Sequence, residues 1–540
     1  MKSIIKKVVC VPLCVIMLLS FSACGGGNDT KKTTEPQSKN GHKDFITIGI
    51  TDEPNSYNPY CATSTAGDTV FDYIYDRLVY TDSKGNFSPR LADKWESSND
   101  GKVITFHLNP KVKWHDGEPF TAKDMVFAAQ VGSSKDSTVT RRSYFSSLEG
   151  TDDNGVCTDL TKLGVVAVDD HTLEYYFKKP IAVSTFLYVD AQRYYPIPYH
   201  ILKDVPMAQM EKNDYWKHPI GTGAFKFDSN VSGESITLTA NKDYFLGAPN
   251  VDRIVFKKMD ASNFAAGLTS GQIDLADQVP LADMQLLQST KGLNAKTVPS
   301  LLYTYMSVNC SKDYFKDVRV RRALSEAIDR KTIVKQALYG FGDIAVSSLT
   351  ANNPYFNKEV DGDPYNPEDA KKLLQEAGWD FNRELTFVSY NSNPARVVAT
   401  TIIQQNLKAI GVNVKVQIVD WPTLIDMNRQ GKFDLSILGG AGSFDPDDSR
   451  VLMQPGGAQN FCQITDPRYY DLAQKGHATV SKEEKTKIYY EYQKLLHDEP
   501  TYIWLYHNDE AVVAKDTIQN MPMEDFINLN YKAYAWTFTE

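Results

Sequence analysis

Residues Val412–Leu438 read VNVKVQIVDWPTLIDMNRQGKFDLSIL, and residues Val251–Ala276 read VDRIVFKKMDASNFAAGLTSGQIDLA. Asp260 and Asp420, Gly271 and Gly431, and Asp274 and Asp434 occupy the two stretches at one common offset of 160 residues. In each stretch an alternating strand runs into an Asp placed to cap a helix, and a short helix follows. A Gly then stops the helix and a second strand begins. The Gly supplies the left-handed conformation that ends a helix, and Phe433-Asp434-Leu435-Ser436-Ile437-Leu438 re-enters a buried sheet. This is a βαβ-like unit. Two copies this far apart lie well outside the roughly 20–50-residue period of a solenoid. They predict two α/β lobes of similar design, and the space between them is where function is expected.

The amino terminus has a different character. Lys2, Lys6 and Lys7 precede an apolar run from Val8 to Ala23, too short for a membrane span and suited to a secretory signal. Phe21-Ser22-Ala23-Cys24 resembles a bacterial lipobox, with Phe21 where Leu is usual. Cleavage there makes Cys24 the lipidated first residue. Residues 24–44 are polar, rich in Gly, Lys and Thr, and read as a flexible tether. Loss of residues 1–23, with three lysines and no acid, takes the net charge from −9 to −12. That balance argues against a nucleic-acid partner, and no basic, aromatic-laced patch appears. The remaining length exceeds a single core and predicts two or three domains. Cys61, Cys157, Cys310 and Cys462 are isolated, without a Cys-x-x-Cys, so no zinc site is expected. A disulfide among them is permitted outside the membrane, and the sequence does not select a pair.

Phe45–Thr51 reads as a strand that ends in Asp52-Glu53-Pro54-Asn55-Ser56-Tyr57-Asn58-Pro59. A polar loop at a strand's carboxyl end is how an α/β lobe presents ligand contacts, which makes Glu53 and Asn55 candidates. Thr69–Val79 predicts an amphipathic helix. Val103, Thr105 and His107 alternate, Asn109-Pro110 turns, and Val112 and Trp114 complete a predicted hairpin. His115-Asp116-Gly117 suits a tight turn better than a catalytic pair, and Thr121 caps the next helix.

The segment Leu91–Gln130 resembles the family 5 solute-binding proteins of ABC importers, the dipeptide, oligopeptide and nickel receptors. Trp95, Asp100-Gly101, Trp114-His115-Asp116-Gly117, Pro119, Thr121-Ala122 and Asp124 match the family's stretch place by place. Asp169–Phe177, Pro196–His200, Gly221-Thr222-Gly223-Ala224-Phe225 and Asp317–Arg330 follow in the family's order, as does Asn309. The resemblance covers roughly Phe45–Trp536. The resemblance implies a two-lobed periplasmic-binding-protein-like α/β fold with an extra domain. The first lobe is then discontinuous over 45–87, 220–303 and 501–540, the additional domain covers 88–219, and the second lobe covers 304–500. Hinge crossings are expected near Tyr303–Asn309 and Glu499–Ile503.

In that family a peptide lies between closed lobes as an added strand, its termini held by charged groups. An Asp four residues before the proline of the loop Gly439–Asp448 meets the α-amine; here Gly442 stands there, counting from Pro446. Gly439 stands where oligopeptide receptors carry a bulky aromatic. Tyr390 replaces the Arg that grips a dipeptide carboxylate, with Asn391 beside it. Burying a zwitterion without ionic partners costs several kcal/mol, so a strict dipeptide receptor is not expected. The glycines are expected to widen the pocket and favour a longer or modified peptide, or an uncharged polar solute. Ser443, Phe444, Asp445 and Asp447 join Asn309 as candidate contacts, with Asp445, Asp447 and Asp448 as substitutes for the lost amine partner. Trp421, matching a Trp of peptide receptors, is expected to wall the pocket. Thirty tyrosines fit a polar–aromatic cleft. No cofactor or metal is implied, and a monomer is expected to hand its solute to a permease. No G-x-S-x-G, H-E-x-x-H or P-loop is present to support an enzyme.

Overall fold

The computed structural model describes residues 44–540 apart from residues 63, 64, 190, 392, 458, 525 and 540. The signal segment, Cys24 and the tether before Asp44 lie outside the described residues. Eleven strands form one large mixed sheet: β1 (Phe45–Ile50), β2 (Phe225–Val231), β3 (Ser235–Ala240), β4 (Arg253–Lys258), β5 (Leu275–Ala276), β6 (Leu293–Val308), β7 (Gly342–Ile344), β8 (Glu384–Tyr390), β9 (Asn413–Val419), β10 (Leu435–Ala441) and β11 (Tyr502–Lys515). Their order is β9-β8-β10-β6-β11-β5-β1-β4-β3-β2, and β7 pairs with β11. A separate four-stranded antiparallel sheet takes Ala92–Ser97, Val103–Leu108, Thr172–Tyr176 and Val165–Ala167 in that order.

The repeated stretches build both ends of the large sheet in the same way. β4 and β5 pair in parallel with the strand between them, β1, and β9 and β10 pair in parallel with β8. Asp420 caps the helix Trp421–Arg429, its carboxylate accepting from Thr423 N at 2.8 Å. Asp260 caps a single 3-10 turn, accepting from Ser262 N, before the helix Phe264–Ser270. Gly271 and Gly431 take φ of +79° and +63° where each helix stops. The third repeated pair secures register. Asp274 accepts from Thr47 N of β1 at 2.8 Å and returns its own N–H to Thr47 O at 2.7 Å. Asp434 accepts from Thr386 N of β8 at 2.7 Å and donates to Thr386 O at 3.1 Å. A carboxylate placed just before β5 and β10 thus satisfies an N–H of the neighbouring strand.

Separate cores back the two ends. Ile46, Ile48, Ile254 and Phe256 pack with Tyr73 and Trp536, and this core continues through Phe106 and Tyr175 of the four-stranded sheet. Leu385, Phe387, Leu435 and Ile437 pack with Leu324 and Ile403. Each such aliphatic side chain contributes roughly 1.5–3 kcal/mol by its burial. β6 and β11 are the strands common to both halves, and residues 309–501 leave and return through them alone. Their register breaks between Pro299 and Tyr303, opposite Asp509 and His507, and again between Thr304 and Tyr305, opposite Tyr506 and Trp504. Pro299 has no N–H for the ladder at the first break.

Two local expectations are corrected. The helix expected over Thr69–Val79 is Thr65–Ile74, and Val79 begins a short strand. Gly223 N–H takes the Ile74 carbonyl at 2.8 Å and helps to close that end. Val112 and Trp114 do not pair with Val103–Leu108, because both edges of that strand are filled by Ala92–Ser97 and Thr172–Tyr176. His115 is a structural residue. Its Nδ1 accepts from Gly221 N at 3.0 Å, its Nε2 lies 3.1 Å from Gly223 O, and burial pushes its pKa down to about 4. Asp116 faces His200 instead. Among the described residues no helix is long and apolar enough to cross a membrane.

Candidate functional site

Because β8, β9 and β10 run parallel, Tyr390, Val419 and Ala441 finish on one side of the sheet, where the second strand–helix turns gather. After Tyr390, Asn393 accepts from Arg396 N at 3.0 Å and caps the helix Pro394–Ala409, with Pro394 in its first turn. That turn aims Arg396 back across the strand ends. Its Nη1 donates to the Tyr390 hydroxyl, its Nε lies 3.4 Å from Thr304 Oγ1, and its guanidinium sits 5.3 Å from the centre of the Tyr390 ring. These contacts are all neutral; among the described residues no carboxylate pairs with this half-buried cation. On the other edge of Tyr390, Trp421 meets it edge-on at 5.1 Å and is 44% exposed, so Trp421 is not a core residue.

Arg396 changes the meaning of the glycines. A Cβ on Gly439 would stand 2.1 Å from Arg396 Nη2 and 2.4 Å from Tyr303 O, and one on Gly440 would stand 2.6 Å from the Tyr303 hydroxyl. The room expected for a ligand at 439 and 440 is therefore already filled, by a guanidinium and by Tyr303. Gly442 also meets backbone: its Cβ would lie 3.3 Å from Leu301 O and 3.4 Å from Ser348 O.

Other expected contacts are consumed by the fold. Asn309 is wholly buried and donates to Gly431 O and Phe433 O at 3.1 and 2.8 Å, which ties β6 to the Gly431 turn. Asp445 is wholly buried against Lys485, its oxygens 2.8 and 3.0 Å from Nζ, so it has no capacity left for a ligand amine. Burial works against ionisation of Asp447, yet His477 Nδ1 at 2.8 Å and Arg450 hold its pKa below the usual carboxylate range. Both acids are corrected from ligand contacts to internal ion pairs. Asp448 has no described side chain. Ser443 bonds within its own turn to Asp445, and Phe444 is buried against Tyr188 at 5.6 Å. Asn391 is exposed at the end of β8.

On the opposite side, Glu53 accepts from Gly233 N and lies 3.9 Å from Lys258, while Asn55 is exposed. A cavity of about 400 Å³ opens beside the shared strands, lined by Pro299, Thr350, His507 and Asp509 among others. Burial lowers the His507 pKa, and its Nδ1 lies 3.2 Å from Leu302 O.

Glu510, next along β11, gives a pH signature. Burial and the nearby Asp277 charge push its pKa up to about 7, and burial alone raises Asp277 to about 6. A carboxyl raised on folding adds stability below its unfolded pKa and loses it as pH rises through the folded value. Glu510→Gln should therefore stabilise the chain at pH 8 by about 3 kcal/mol, at 1.36 kcal/mol per unit. The gain should shrink steadily towards pH 4.5. Urea unfolding of both proteins across that range measures it, and a gain independent of pH would contradict the assignment.

Two α/β halves joined by two strands, with a polar–aromatic surface where parallel strands end, define a bilobal ligand receptor. Residues 86–461 match the model for the middle region of bacterial extracellular solute-binding proteins of family 5. The chain is 30% identical to the oligopeptide-binding protein AppA of Bacillus subtilis over 97% of its length and 98% of that protein's. It is similar to the structure of that AppA with a nonapeptide, at a TM-score of 0.71, 27% identity and coverage of 92% and 99% of the two chains. It also resembles the ABC transporter substrate-binding protein CtaP of Listeria monocytogenes, at a TM-score of 0.81, 26% identity and coverage of 92% and 100%. The chain belongs to family 5 of the bacterial extracellular solute-binding proteins, which are receptors and not enzymes.

Arg396 is the functional candidate that motif matching passed over. The signal was available: a cation in the first turn of a proline-started helix, facing a glycine where a bulky side chain is usual.

Proposed function

We propose that this chain is a lipid-anchored, extracytoplasmic receptor that captures peptides, oligopeptides above all, between its lobes and delivers them to an ABC importer permease. The observation that carries this reading is Arg396: a half-buried guanidinium at the strand ends, steered by Tyr390 and, among the described residues, without a carboxylate partner. A free peptide carboxylate supplies the missing partner in charge-assisted hydrogen bonds. The Arg that dipeptide receptors carry at position 390 is thereby replaced from the following helix. AppA, similar over nearly the whole chain, is named for oligopeptides. Loss of the Asp at 442 and the internal use of Asp445 and Asp447 leave the amine end loosely specified, which favours length-tolerant over dipeptide recognition.

Closure would bend β6 and β11 at their two register breaks, the second of which, between Thr304 and Tyr305, falls within the crossing expected from sequence. Trp421 and Tyr390 form an aromatic wall beside Arg396. Trp421→Ala should leave stability within about 0.5 kcal/mol, because the ring is exposed, and weaken ligand binding about tenfold. Paired urea unfolding and calorimetric titration separate the two effects. Unfolding by the substitution would remove Trp421 from the site.

Native mass spectrometry of the chain from Gly25 onward, recovered from cells in rich medium without refolding, tests the ligand class. A ladder of masses that sequence as peptides with free carboxyl ends is expected. A single saccharide or metal-complex mass would overturn the peptide reading. Membrane release on Cys24→Ser tests the anchor.

A further inference from the structure

Residues 309–501 connect to the rest of the chain through β6 and β11, and the two parts also touch away from those strands. One such contact is wholly buried and is made by a single hydroxyl. Thr185, on the helix Val183–Val189, donates from Oγ1 to Asp445 Oδ2 at 2.6 Å and accepts from Lys485 Nζ at 2.6 Å. Lys485 also holds both Asp445 oxygens, at 2.8 and 3.0 Å, and neither of the charged side chains is exposed. The remaining Asp445 bond is to Asp447 N at 2.9 Å, within the same loop, and the Tyr355 and Tyr489 rings flank the ammonium at 5.8 and 5.9 Å. Every partner in this network except Thr185 belongs to the 309–501 part. Beside it Phe444 packs on Tyr188, one helical turn on from Thr185.

We propose that Thr185 is a positioning residue that latches the closed receptor by docking on the Asp445–Lys485 pair and fixing the loop from Gly442 to Asp447. Closing buries an ion pair, which is unfavourable unless its hydrogen-bonding capacity is filled. The Thr185 hydroxyl fills it with one donated and one accepted bond. The three-membered network is complete only when Asp445, three residues from Gly442, stands against Thr185. The loop and the helix outside the lobe are thereby held together. When the lobes part, Lys485 and Asp445 stay with each other and gain water, so opening leaves no orphan charge. That makes the contact reversible and suits it to a receptor that must also release.

The test uses the full chain in detergent, without added ligand. Hydrogen–deuterium exchange is followed at residues 183–189 and 442–447 in the wild type, Thr185→Val and Thr185→Ser. Valine keeps the shape and removes both bonds, which should speed exchange about tenfold in both segments, whereas serine should restore wild-type protection. Exchange in β8 and β10 should not change, which excludes general unfolding. Unchanged protection at 442–447 in Thr185→Val overturns the proposal, as does a loss that serine fails to repair. Fast exchange in both segments of the wild type overturns it too. Since no ligand is involved, failure of the peptide reading leaves this result intact. With peptides recovered from the native protein, Thr185→Val should also release them about tenfold faster.

Discussion

Lys485→Ala should destabilise the chain by about 3–5 kcal/mol, the cost of leaving one charge of a buried pair without its partner. Asp445 then keeps only the Thr185 hydroxyl and the Asp447 N–H in a site closed to solvent. Replacing both charges together, Asp445→Leu with Lys485→Met, should recover much of that loss, because the desolvation of two ions is removed along with their attraction. Urea unfolding of the single and double variants measures the difference. A loss below about 1 kcal/mol in the single variant is what an exposed pair gives, and it would mean that the pair is open to water. The double variant should unfold normally yet lack the closure contact, which separates the pair's structural part from Thr185's.

Arg396→Met should weaken binding of a peptide with a free carboxyl terminus about 100-fold, equal to about 2.7 kcal/mol. That lies within the range for removing one side of a desolvated charge pair. Stability should change little, because among the described residues Arg396 has no ion pair and its side chain bonds to the Tyr390 and Thr304 hydroxyls. Arg396→Lys should recover part of the affinity, since an ammonium keeps the charge and loses the planar fork that fits a carboxylate. The decisive control is the amidated peptide. It should bind the wild type as weakly as the free acid binds Arg396→Met. Calorimetric titration of the four combinations isolates the pair, and equal affinity for acid and amide in the wild type would remove Arg396 from ligand recognition.

Much of the architecture was legible because it is written in local rules. The Asp caps, the helix-stopping glycines and the strand alternation act over a few residues, so Val251–Ala276 and Val412–Leu438 disclose their βαβ turns directly. Asp274 and Asp434 were visible as a repeat, but their bonds to Thr47 and Thr386 reach across sequence separations with no common spacing. The misplaced hairpin at Val112–Trp114 failed for a related reason. Alternation shows that Val103–Leu108 is a strand and says nothing about which strands fill its edges.

The site divided in the same way. Gly439 and Gly442 were recognisable as departures from the family pattern, and sequence suggested an open pocket. Whether a missing side chain leaves a void depends on what moves in, and at Gly439 that is Arg396. Asp445 and Asp447 looked like available acids until burial against Lys485 and His477 claimed them. The sequence by itself determined the two-lobe plan, the family and the absence of the usual amine and carboxylate anchors. These follow from residue identity and short-range spacing. Only the tertiary structure decided which charges are spent within the fold. Pairing depends on distances of 3–4 Å between residues dozens to hundreds of positions apart, and a linear order of residues does not contain them.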